Sequence, residues 1–145
     1  MQKLHLLLLS LVFLTIGAGC ASIRSQDSGD SAAQPVHAAI AVRTDAHLEV
    51  ALMSAHQMLD GERLPAERVD IIVCGPPVQS LTPPSEFADD IRRLTERGSQ
   101  VVACGVTMER MGLGPKDLLP EVSTVPNAFI ELIAIQQEGV ITIEL

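Results

Sequence analysis

From Val36 onward the chain alternates between two hydrophobic rhythms. Short runs dense in β-branched and small apolar residues read as strands: 36–42 (VHAAIAV), 69–74 (VDIIVC), 100–104 (QVVAC), 121–125 (EVSTV) and 140–145 (VITIEL). Between them lie segments with helical spacing. Over 45–59, Leu48, Ala51, Leu52, Ala55 and Leu59 form one stripe, and the glycine after Asp60 supplies a stop. Over 85–98, Ser85 is placed to cap, Glu86 and Asp89 sit in the first turn, and Gly98 ends the pattern. Residues 126–139 form a third helix, opened by Pro126 and closed by Gly139. Within it FIELIAI reads as a core stripe, with Glu131 on its exposed edge or at a subunit contact. The segment 75–84 is a loop with one helical turn, and TMERMGL and PKDLLP are short helical turns.

Strand–helix alternation of this kind predicts a parallel sheet with right-handed crossovers and helices on both faces. The runs at 69–74 and 100–104 are almost continuously apolar, as strands covered on both faces must be. Residues 36–145 therefore form one α/β domain. In such sheets ligands bind along the carboxyl edge of the strands. Cys74 and Cys104 each end a strand on that edge, and each is followed by glycine.

The first 35 residues follow a different logic. Lys3, then an apolar stretch, then the small residues Gly17, Ala18 and Gly19 make a secretory signal over 1–20. The apolar run is shorter than the ~20 residues a membrane span needs. Cys20 after GAG resembles the lipobox of bacterial lipoproteins, in which that cysteine is acylated; Gly17 replaces the usual aliphatic residue, and ordinary cleavage near Gly19 or Ala21 is the alternative. Residues 21–35, rich in Ser, Gln, Asp, Gly and Ala, read as a flexible tether. The expectation is a periplasmic or lipid-anchored protein that meets the membrane only through its N-terminus.

Composition narrows the chemistry. The 145 residues carry 18 acidic and 10 basic side chains, a net charge of −8, which argues against nucleic acid as a partner. Three Phe with no Trp or Tyr leave nothing to build a stacking platform. His47 and His56 stand nine apart on one helix and face different directions, so no metal site is expected. Neither a C-x-x-C, an H-E-x-x-H nor a G-x-S-x-G motif is present, and no cofactor is expected.

The cysteines remain. Cys104 enters GVTMERMG, a short helix whose cap is expected near Thr107. Free backbone N–H groups of Gly105, Val106 and Thr107 would favour a thiolate there, with Arg110 as a further positive charge. The competing reading is a small buried hydrophobe. Cys74 precedes two prolines that remove N–H donors, and reads as packing or as a wall of the site. A Cys74–Cys104 disulfide is a third possibility in an oxidising compartment, with the Cβ directions of adjacent strands against it.

Two stretches, VDIIVCGPPVQSL and GSQVVACGVTMERMGLGPKDLLPEVSTVPNAFIELIAIQQEGVITIEL, resemble the DsrE/DsrF-like family. The resemblance covers most of 36–145 and is strongest from Val69 onward. It implies a three-layer α/β/α domain with a five-stranded parallel sheet, assembled as trimers or hexamers. It also implies sulfur oxidation or relay, in which a cysteine carries sulfur as a persulfide and passes it to a partner protein. The motif cysteine falls on Cys104. No role carries over to Cys74, and VITIEL lacks an aromatic often found in that strand. The expectation is an exported carrier or binder of a sulfur species acting through Cys104. The alternative is a non-catalytic oligomeric module that binds a small ligand or a partner, with structural cysteines.

Overall fold

The structure, a computed structural model, describes residues 35–145. The secretory signal, the Cys20 lipobox and, apart from Pro35, the tether fall outside the described residues. Among those residues no helix is long and apolar enough to cross a membrane.

Five parallel strands form one sheet in the order β4-β3-β2-β1-β5: β1 Val36–Val42, β2 Ala66–Val73, β3 Val101–Cys104, β4 Val122–Val125 and β5 Ile141–Glu144. Four α-helices connect them: α1 Asp45–Leu59, α2 Ala88–Glu96, α3 Gly105–Met111 and α4 Ala128–Gln137. Tight 3-10 turns occupy Pro76–Leu81 and Pro115–Asp117. The expected three-layer α/β/α architecture is what the chain adopts.

The sheet sorts its side chains by parity. Ala38, Ile40, Val42, Val69, Ile71, Val73, Val101 and Ala103 face α1 and α2, and there Leu48, Leu52, Ile91 and Leu94 close the larger core. Each such aliphatic side chain stabilises the fold by about 1.5–3 kcal/mol relative to exposure. The alternate residues Ala39, Ile72, Cys74, Val102 and Cys104 face α4 and meet Ala128, Leu132 and Ile135. Both cysteines therefore lie on one face, under one helix.

Several local expectations are corrected. β2 begins at Ala66, because Ala66 pairs with Val36 although its outer residues are polar. Ser85 does not cap α2. Its hydroxyl instead accepts from the Phe87 amide and donates to the Ser80 carbonyl, which makes a turn before the helix. The α4 helix starts at Ala128, capped by the Asn127 side chain, which accepts from the Phe129 amide at 3.0 Å. The helix after β3 starts at Gly105, with Cys104 itself in the capping position rather than Thr107. FIELIAI is not a simple core stripe. Leu132 and Ile135 pack inward, while Phe129, Ile130 and Ile133 remain 49%, 67% and 59% exposed and Glu131 is half-buried.

The amino end of the sheet is pinned by two buried polar residues, Asp70 and Ser99. The Asp70 carboxylate accepts from the Gln100 amide at 2.7 Å, from Arg68 Nε at 2.9 and 3.0 Å, and contacts His37 Nε2 at 2.9 Å. The Ser99 hydroxyl accepts from the Val69 amide at 2.9 Å. These contacts tie β1 and β3 to β2, so a β3 of only four residues holds its register and delivers its last residue to the carboxyl edge.

At that edge the backbone of Gly105 is pressed against the β4–α4 turn. A Cβ there would stand 2.9 Å from the Val125 carbonyl oxygen, 3.0 Å from that of Pro126 and 3.3 Å from Pro126 Cα, all main-chain atoms. Gly105→Ala is therefore expected to destabilise the domain by about 1–3 kcal/mol, the usual cost of overpacking. Gly114→Ala, whose added carbon meets only the Asp117 side chain at 3.5 Å, is expected to be far milder. Denaturant midpoints of the two variants against the parent chain test the contrast.

Candidate functional site

The register places Ile72 beside Val102 and Val73 beside Ala103, so Cys74 and Cys104 stand opposite each other where β2 and β3 end. Both are free thiols, and they pack in the same buried cluster. Both are buried, Cys104 at 2% exposed and Cys74 at 8%. The two sulfurs nevertheless experience opposite surroundings.

Burial acts on Cys104 to raise its pKa, but a set of donors more than offsets it and leaves the thiol below its ordinary value. The donors are the Ala128 amide, the Thr107 amide and hydroxyl, and the Val106 amide. Hydrogen bonds to the ionised form favour the thiolate. Ala128 is the first residue of α4, and its neighbour amide on Phe129 is already taken by Asn127, so the helix directs its next free N–H at the sulfur. Val106 also donates to the Pro126 carbonyl at 3.2 Å, which stitches α3 to the β4–α4 turn.

Cys74 goes the other way. Burial, then the neighbouring Cys104 charge and hydrogen bond, push its pKa up to about 11, against a lesser downward pull from Arg43. The surroundings thus favour ionisation of Cys104 over that of its neighbour.

Thr107 links the two turns. Its hydroxyl oxygen accepts from the Gly75 amide at 3.1 Å, the residue directly after Cys74, while its own backbone and side chain serve Cys104. Gly75 has φ +71°, a left-handed conformation that favours glycine, and this turns the chain toward Thr107. Gly105 contributes space more than a donor: its bare backbone allows the close approach already described.

Arg110, expected as a further positive charge, points away from the buried sulfurs. It sits on the exposed side of α3 and is not among the groups that act most strongly on Cys104. The arginine that matters is Arg43, directly after β1. It pairs with Glu144 at the end of β5, lies 5.0 Å over the Phe129 ring and acts on Cys74. The sequence carried a signal for it, since Arg43 follows a strand at the carboxyl edge and β1–β5 is where the strand order reverses. Ala128 carried no comparable signal, because alanine contributes only its backbone.

An open groove of about 530 Å³ runs beside this turn, lined by Gly105, Met108, Glu109, Thr124, Val125 and Pro126 among others. It borders the turn at Gly105, and neither cysteine lines it. Among the described residues no group of three or more His, Cys, Asp or Glu side chains could hold a metal ion.

Comparison with known proteins bears on the fold. No curated protein sequence matches the chain. Among solved structures, a protein of unknown function, MTH1491 from Methanobacterium thermoautotrophicum, is similar with a TM-score of 0.68 at 20% identity, over 76% of this chain and 99% of that one. The ychN protein from E. coli is similar with a TM-score of 0.61 at 13% identity, over 76% of this chain and all of that one. A conserved protein of unknown function, BT1422 from Bacteroides thetaiotaomicron, is similar with a TM-score of 0.56 at 15% identity, over 74% and 94%. These likenesses establish a shared fold. Residues 80–145, which include Cys104, Thr107 and Ala128 but not Cys74, match the DsrE/DsrF-like family.

Proposed function

We propose that this chain carries sulfur, holding a sulfane sulfur on Cys104 as a persulfide. One observation supports the reading above all: Cys104 ends β3 at the cap of α3 with the first residue of α4 beside it, and the N–H and hydroxyl groups there outweigh the cost of its burial. A thiolate is the nucleophile in thiol chemistry. In the loading step the Cys104 thiolate attacks the outer sulfur of a polysulfide or protein persulfide. A new S–S bond forms, the donor's S–S bond breaks, and the leaving thiolate departs with the electron pair. The same groups then face the persulfide anion. The match of residues 80–145 to the DsrE/DsrF-like family is in keeping with a sulfur-related role.

The reading extends to assembly and place. Phe129, Ile130 and Ile133 form an apolar exposed face on α4, as expected of a helix that packs against the sheet on one side and another copy on the other. A homo-oligomer, trimeric or hexameric, would cover it. The reading takes residues 1–20 as an export leader and Cys20 as a lipid anchor, which would put this chemistry outside the cytoplasm, with a sulfur-relay protein as the onward partner.

A second reading has its own support. Both sulfurs are nearly inaccessible in the single chain, as befits structural cysteines in a non-catalytic oligomeric module. Brief exposure to inorganic polysulfide, trapping with iodoacetamide and peptide mass analysis separate the two. The carrier reading expects a gain of about 32 Da, one sulfur, on the Cys104 peptide and none in Cys104→Ser. No adduct, together with slow alkylation across the pH range, leaves the second reading in place.

Thr107→Val removes the hydroxyl from both turns. Alkylation of Cys104 near neutral pH is expected to slow roughly tenfold, the worth of one charge-assisted hydrogen bond, and its midpoint to move to higher pH. Thr107→Ser should restore both. An unchanged midpoint in Thr107→Val removes the hydroxyl from the account. For the assembly, Ile130→Glu combined with Ile133→Glu is expected to reduce the oligomer to a monomer in light scattering at the same protein concentration; an oligomer that survives both changes assigns the interface elsewhere.

A further inference from the structure

The two thiols together suggest how bound sulfur leaves. We propose that Cys74 is the resolving thiol for a sulfur held on Cys104, releasing it as sulfide while the two cysteines join in a disulfide. This rests on the carrier reading above and assigns the second cysteine a part in it.

The geometry supplies three requirements. Cys74 and Cys104 are cross-strand neighbours, one step beyond the Val73–Ala103 pair, and lie in the same buried cluster. Adjacent strands lie about 4.8 Å apart, inside the Cα separation a disulfide accepts. Inside a regular ladder the Cβ directions oppose bridging, but here both residues are leaving it. Cys74 follows the last residue of β2 and leads into Gly75 at φ +71°; Cys104 is the last residue of β3 and the cap of α3. Thr107 spans the two departures and keeps them side by side.

The step balances without an outside reagent. The Cys74 thiol passes its proton to the outer sulfur of the Cys104 persulfide anion, and the thiolate so formed attacks the inner sulfur. The Cys74–Cys104 S–S bond forms and the persulfide S–S bond breaks. The outer sulfur, now carrying the Cys74 proton, leaves with the electron pair as hydrosulfide. The two cysteines together give up two electrons, and the sulfane sulfur receives them. Return to the dithiol takes two electrons from an external thiol or dithiol reductant in a separate exchange.

The division of labour between the sulfurs fits this order of events. Cys104, the more acidic of the two, loads first. Cys74 stays protonated through loading and brings the proton that the departing sulfide needs. Cys74 also lies outside the stretch that matches the DsrE/DsrF-like family, so loading and resolution are carried by separable parts of the sequence.

The test uses the described domain in its full chain, loaded briefly with inorganic polysulfide, desalted and followed over time by intact mass and sulfide assay. The parent chain is expected to lose its extra 32 Da or so and to end about 2 Da lighter than the reduced protein. One sulfide per chain should appear, with a Cys74–Cys104 linked peptide. Cys74→Ser is expected to hold the adduct at least tenfold longer and release no sulfide. Cys74→Ala serves as a second variant, and the linked peptide in the parent chain reads the same step without any substitution. An adduct that lasts as long in the parent chain as in the variants, with no linked peptide, overturns the resolving role and leaves the carrier intact. Failure of any adduct to form on Cys104, in parent and variants alike, overturns the carrier itself.

Discussion

The site depends on one close approach: the backbone of Gly105 against the Val125 and Pro126 carbonyls. That contact brings the start of α4 within reach of the end of β3, and the Val106–Pro126 hydrogen bond holds it there. Without it the Ala128 amide would have no path to the Cys104 sulfur. A buried thiol among aliphatic side chains is ordinarily driven to the neutral form. Here donors from two elements reverse that tendency, and they can do so only because the two elements touch main chain to main chain.

The pairing of unlike thiols follows from the same arrangement. Each sulfur sits at a strand end, on the same face, under the same helix. What separates them is the supply of donors. The turn after Cys104 opens a helix and has an N–H on every residue, whereas the turn after Cys74 runs into Pro76 and Pro77, which have none. The Gly75 amide, the one donor left there, is spent on Thr107. Once Cys104 carries charge, its field opposes a second ionisation next door.

Much of this was legible in the sequence. The alternating rhythm gave five strands in the right places, because parallel strands buried on both faces leave continuous apolar runs. The position of Cys104 at a carboxyl edge, with a helix beginning behind it, could be read from VVACGVT alone. The departures have physical causes. Arg110 was assigned by proximity in sequence, but helical rotation turns it outward, while Arg43, directly after β1 and far from Cys74 in the chain, acts on Cys74. Ala128 acts through its backbone, and a backbone donor has no residue-type signature. The apolar run of α4 showed a helix with something to bury but not how many partners it had, since a sequence pattern does not separate a core face from a face turned outward.

That helix has one more property. Its first amide steadies the Cys104 thiolate, and one turn along it offers Ile130 and Ile133 to the outside. A rigid rod so placed makes the acidity of a hidden sulfur answer to whatever leans on the outer surface: a neighbour that tilts α4 by a fraction of an ångström lengthens or shortens the bond at its tip.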